Sequence, residues 1–195
     1  MARWALITGE KGERKAELAL EVAEALRARG LRVAGIVQLG FKDEQAEQKR
    51  YELQRISNGE RVFLAVDGVV AKGPTEEGFC TFAFRNEAFD LARSWMEEDA
   101  AGAEVLVVGE VSKLEIADKG NAACLKWALA QDDSKVVLVA ARASQLFYVM
   151  EQFGLQDDPV AALEMPGEPG AREALVEELV AAVLAGRGAT APAGG

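Results

Sequence analysis

Apolar positions along the chain come in two rhythms, and their alternation predicts the architecture. Short continuous apolar runs, the mark of strands buried on both faces, occur at "RWALITG" (3–9), "LRVAGIVQLG" (31–40), "EVLVVGEV" (104–111) and "SKVVLVAA" (134–141). Between and after them, apolar residues recur every three or four positions. Leu18, Val22 and Leu26 do so from Arg14 to Arg29, followed by "EAFDLARSWMEEDA", "GNAACLKWALA", "SQLFYVMEQFG" and "AREALVEELVAAVLAG". That spacing lines one face of a helix. Gly30 after "RAR" and Gly154 after "EQF" supply helix stops. Strand, glycine-bearing turn, helix and strand within the first 40 residues make a βαβ unit, hence a parallel pair.

The middle breaks this rhythm. "KRYELQRI" and "ERVFLAV" flank "SNG" (57–59), and Asn-Gly between strand-like runs predicts a hairpin. "FCTFAF" (79–84) reads as one further strand after a loop with Gly73, Pro74 and Gly78. Residues 40–84 are thus expected to form an antiparallel elaboration. The sum is a three-layer α/β fold: one domain over 1–186, a mainly parallel sheet with an inserted β-hairpin region, and a flexible small-residue tail at 187–195.

Composition narrows the chemistry. A chain of 195 residues that is 50% hydrophobic and 28% charged reads as an ordinary soluble globule. A net charge of −10 repels nucleic-acid phosphates and anionic lipid, so neither nucleic acid nor membrane is an expected partner. No run approaches the roughly 20 apolar residues of a membrane span, and "MARWALITGEKG" is too soon broken for a secretory signal. The expected location is cytoplasmic. There is no histidine, which removes Ser-His-Asp and Cys-His catalysis and any His-containing zinc site. Cys80 and Cys124, each within an apolar stretch, read as buried structural thiols, and Trp95 and Trp127 as core. The acidic "MEEDAAGAE" reads as a solvated helix end.

Two places carry candidate chemistry. In "GEKGERKA" the first strand runs into Gly9 and Lys15, which fit the phosphate-binding pattern G-x-x-x-x-G-K-[ST], with Gly12 between them. In that pattern glycines let backbone amides close on phosphate at a helix N-terminus, and the lysine reaches the terminal phosphates. Glu13, Arg14 and Ala16 complete the loop, Arg14 where the pattern has glycine and Ala16 where it has a hydroxyl. Taken alone, the stretch reads equally as a strand–helix turn with solvated charges. The second place is Glu110, ending "VLVVGE" where a P-loop enzyme carries its strand-end carboxylates, with Gly109 at the metal-side position. Arg142, just past the last apolar run, stands at a sheet end where ligands bind in α/β folds, although it also reads as an ordinary surface arginine.

With these pieces in order, residues 3 to 155 resemble the P-loop nucleoside-triphosphatases of the Thep type and a related uncharacterised bacterial P-loop family. The matching segments are "GEKGERKAEL", "GIVQ", "LQRISNGERVFLA", "GEVSKLE" and "VVLVAARASQLFYVMEQFGL". The resemblance implies binding of ATP or GTP with Mg²⁺, and a hydrolase activity. The departures fall on the metal. Family glycine becomes Arg14, family threonines become Ala16 and Glu17, and the Walker B aspartate becomes Gly109. Both side chains that organise Mg²⁺ are missing, so no metal ligand is assigned. Arg14 adds bulk where the backbone must approach phosphate, and Glu13 and Glu17 add repulsion. Glu115 matches a family glutamate but reads here as a surface charge. The expectation is a degenerate P-loop protein, its nucleotide or phosphate binding weak or lost, serving as a regulatory or protein-partner-binding module. The alternative is an active nucleoside-triphosphate phosphohydrolase using Lys15 and Glu110. A kinase-like transferase is a third reading.

Overall fold

The computed structural model describes residues 1–42, 49–69, 71, 75–155 and 158–189. Gly73, Pro74 and residues 190–195 of the expected tail lie outside that set. The chain runs β1 (Arg3–Gly9), α1 (Lys15–Ala28), β2 (Val33–Lys42), β3 (Lys49–Arg55), β4 (Arg61–Asp67), β5 (Glu76–Phe79), β6 (Phe82–Arg85) and α2 (Asn86–Ala100). It continues through β7 (Val105–Val111), the single turn α3 (Lys113–Ile116), α4 (Ala122–Leu129) and β8 (Val136–Arg142). A 3-10 turn at Ala143–Gln145, α5 (Leu146–Phe153), β9 (Ala162–Glu164) and α6 (Ala171–Ala189) follow.

All nine described strands join one sheet, in the order β5-β6-β4-β3-β2-β7-β8-β1-β9. From β2 to β9 the pairings are parallel. From β2 outward to β5 they are antiparallel. The expected elaboration therefore continues the parallel sheet, with the Asn58-Gly59 turn between β3 and β4 as expected. Helices α1 and α6 cover one face, and α2, α4 and α5 the other. The apolar runs of the parallel half feed both layers: Val105 and Val107 of β7 enter the cluster under α1, Leu106 and Val108 the opposite one. This two-sided burial is why those strands read as continuous rather than alternating. The β2–β7 pairing also requires Gly35, whose φ is +135° and where a Cβ would stand 2.1 Å from the Val107 carbonyl oxygen.

Several expectations change. "FCTFAF" is two strands joined at Cys80–Thr81, with Cys80 in the left-handed region at φ 55°. No Asn-Gly or Asp-Gly marks that turn, so the pattern concealed it. Cys80 is consequently exposed, against the expectation of burial, whereas Cys124 is buried as expected and its thiol is pushed up to about 12 by burial. The "MEEDAAGAE" stretch is not simply solvated. Asp99 accepts from Arg55 Nε at 2.8 Å and Nη2 at 2.5 Å, fastening α2 to β3. Glu104 pairs with Arg187 of α6. That helix runs three residues beyond the expected boundary, and strand β9 had no signal long enough to predict it.

Candidate phosphate-binding cleft

Sheet register assembles the site. The β1–β8 pairing sets Gly9 opposite Arg142. Between β7 and β8, Gly109 faces Ala140 and Val111 faces Ala141, so Glu110 is the extra residue of a bulge. A bulge re-aims its residue out of the ladder. Glu110 Oε1 accordingly lies 3.9 Å from Lys15 Nζ and 3.4 Å from Arg142 Nη2. Lys15 thus meets, at one sheet end, two candidates that lie more than 90 residues further along the chain. Lys15 is 3% exposed, and its ammonium donates to the Glu10 carbonyl at 2.9 Å.

The loop keeps a phosphate-loop path through unusual residues. Gly12 has φ +97°, and Arg14 adopts φ 44°, ψ 38°, a left-handed conformation that suits glycine. The Arg14 side chain does not fill the loop: it is 75% exposed and lies 3.3 Å from Glu17, which corrects the expectation of obstructive bulk. The intruder is Glu13. Its carboxylate folds back to accept the Glu10 N–H, and its Oε2 stands 2.6 Å from where a Cβ on Gly9 would be. The Glu10 carboxylate in turn accepts from the Ser144 N–H at 3.0 Å and hydroxyl at 3.2 Å, tying the loop to the turn after β8. Helix α1 starts at Lys15 with no side-chain cap.

The two departures concerning the metal fall on one side of the sheet. Ala16 is buried in the α1-side cluster, and a Cβ at Gly109 would point to Ala140 and Val37 of that cluster, at 3.0 and 3.9 Å. Glu115, expected at the surface, is 2% exposed. Its oxygens accept the Ser112 N–H at 2.9 Å and the Asn121 N–H at 3.1 Å. Burial raises its carboxyl to about 7, despite those two hydrogen bonds, and the charge of Glu110 adds to the rise.

Around these groups lies a cleft of about 440 Å³, within the range of small-molecule sites. Among the described residues its lining carries seven Lys and Arg side chains, Lys11, Lys15 and Arg142 among them, against three glutamates. In a chain of net charge −10 this is a concentration of positive charge. Arg142 Nε is buried and makes no hydrogen bond among the described residues. The antiparallel strands add an aromatic part to the lining: Tyr51, Phe79, Phe82 and Phe84. Sequence reasoning placed none of these in a site. The aromatic density of "FCTFAF" was the available signal, and only the folding of β6 against β4 brings it to the cleft.

A family model described as a protein of unknown function (DUF2478) matches residues 4–153. The chain belongs to the DUF2478 family. This DUF2478 chain is also similar in structure to a human cancer-related nucleoside triphosphatase, with TM-score 0.69 and 17% identity over 94% of this chain and 98% of that one. THEP1 from the hyperthermophile Aquifex aeolicus aligns with TM-score 0.62 and 18% identity over 92% and 98% of the two chains. At such identities the likeness carries the P-loop NTPase fold, in agreement with the resemblance drawn from the motifs. A comparison with curated proteins finds no match. Among the described residues, no helix is long and apolar enough to cross a membrane.

Proposed function

We propose that this protein holds the phosphate groups of a small anionic ligand at the loop of residues 9–16 without Mg²⁺-assisted phosphoryl transfer, as a cytoplasmic regulatory or partner-binding module. The observation that carries the reading is the buried Lys15 in a cleft lined, among the described residues, by seven cationic side chains in an acidic chain. Helix α1 adds uncapped amides and the positive end of its dipole. Arg142 contributes a buried Nε donor.

The donor set argues against Mg²⁺. The loop hydroxyl is replaced by Ala16 and the strand-end aspartate by Gly109, while Glu110 is paired with two cations. Among the described residues no group of three or more His, Cys, Asp or Glu side chains is placed to hold a metal. Phosphoryl transfer rests on electrostatic stabilisation of the transferring group, and losing one such contact costs about 10²–10³ in rate. Calorimetry with ATP and GTP, with and without Mg²⁺, tests the reading alongside single-turnover phosphate release. Binding unaffected by Mg²⁺, with no release, is the expected result. Brisk release that disappears in Lys15→Ala would overturn it in favour of hydrolysis.

One observation favours that second reading. Glu110 projects from its bulge between Lys15 and Arg142, placed to orient an attacking water while cations carry the developing charge. Joint reversion, Ala16→Thr with Gly109→Asp, separates the two. A disabled scaffold gains Mg²⁺-dependent release, whereas a metal-free hydrolase already turns over without it.

A further inference from the structure

We infer that the aromatic part of the cleft lining is a ring-binding subsite, in which Tyr51 and Phe82 hold a planar aromatic group attached to the anion bound at the loop. The inference rests on the phosphate-binding reading above and adds to it the part of the ligand that carries no charge.

The antiparallel extension sets up this wall. Tyr51 of β3 pairs in register with Gly40 of β2, where a Cβ would stand 3.2 Å from Tyr51 Cε1, so glycine is what gives the ring room. The Tyr51 and Phe82 rings meet edge to face at 5.3 Å, and Phe82 lies 5.6 Å from Phe84. Phe84 is buried in the core, while Tyr51 and Phe82 are only half-buried and line the cleft. Such a pair offers an apolar face and a ring edge to a third ring. Tyr51 lines the same cleft as Glu110 and Arg142, and its phenol is raised above its ordinary value by burial first and by the charge of Glu110 second. A single ligand bridging these walls has an anion at one end and a planar ring at the other. A bare polyphosphate would leave the aromatic side chains without a partner, and an apolar ligand would leave the excess of cationic side chains over glutamates in the lining unmet.

Cys80 provides a local reporter. It lines the cleft at the β5–β6 turn and is exposed, whereas Cys124 is buried, so a maleimide reacts at Cys80. The experiment titrates the full chain with ATP, GTP and inorganic tripolyphosphate by calorimetry, and follows Cys80 alkylation with each ligand at saturation. Ring stacking predicts nucleotide binding on the order of 10-fold tighter than tripolyphosphate. Tyr51→Ala and Phe82→Ala bring ATP down to the tripolyphosphate level and leave tripolyphosphate unchanged, while Lys15→Ala weakens both. Tyr51→Leu, which keeps apolar bulk, stands in should the alanine variant fail to fold. ATP, and not tripolyphosphate, slows Cys80 alkylation. Equal affinity for the three ligands, or ATP binding without Cys80 protection, overturns the ring subsite and leaves the phosphate reading intact. Absence of binding by all three overturns both.

Discussion

The wall carrying Lys15 and the wall carrying Tyr51 face one cleft but are held in place differently. The Lys15 wall hangs from the parallel half of the sheet, whose strands are buried on both faces and whose register fixes Gly9, Glu110 and Arg142 together. The Tyr51 wall hangs from antiparallel strands that are half-buried, and its aromatic side chains stabilise the arm while also lining the cleft. Rigidity and recognition are separable on the first wall and shared on the second. A substitution in the strands beneath Lys15 should therefore act through folding alone, and one in the aromatic wall through the ligand together with a smaller loss of stability.

The largest expected effect tests that contrast. Leu138→Ala, in a fully buried position of β8, should cost about 2–5 kcal/mol, whereas Phe82→Ala, half-exposed, should cost clearly less. Urea denaturation of both variants measures the difference, and equal losses would dissolve the distinction between the walls.

A second test uses Glu115, buried beside the Lys15 wall with its carboxyl raised from its ordinary value of 4.5 to about 7. The folded state then holds that proton more tightly than the unfolded chain does. The contribution is full below about pH 4.5 and is lost as pH rises toward 7, at up to about 1.4 kcal/mol per pH unit. The chain has no histidine, so above about pH 6, where ordinary carboxylates are fully ionised, no other side chain of ordinary pKa titrates up to pH 7. Denaturation midpoints from pH 5 to pH 8 should fall and then level off. A flat profile would mean that Glu115 is charged throughout.

Smaller effects sharpen the picture at the loop. Arg14→Gly removes a side chain from a left-handed position and should raise stability by about 1 kcal/mol, read from the urea midpoint. An unchanged midpoint would show that the Arg14–Glu17 contact offsets the strain. Glu13→Gln removes a negative charge that folds into the loop and should tighten tripolyphosphate binding roughly 5-fold, the scale of one charge contact in water. Weaker binding would instead mark Glu13 as a prop that shapes the loop.

Residue order alone determined much of this protein. The four apolar runs, the helices between them, the Asn58-Gly59 hairpin and the glycine-and-lysine loop are local patterns, since burial on both faces and turn geometry leave their mark on consecutive residues. The candidates Lys15, Glu110 and Arg142 could be named for the same reason: Glu110 and Arg142 lie at the ends of recognisable strands, and Lys15 opens the helix that follows the first. Tertiary structure alone decided the rest. Glu115 is buried where the Ser112 amide before α3 and the Asn121 amide before α4 both donate to it, and Arg14 points outward because its backbone, not its side chain, took the place of glycine. Glu13 enters the loop, and Tyr51 and Phe82 reach the cleft, through contacts set by three-dimensional approach. Hydrophobic periodicity records which face of an element is covered; it does not record which distant side chain does the covering.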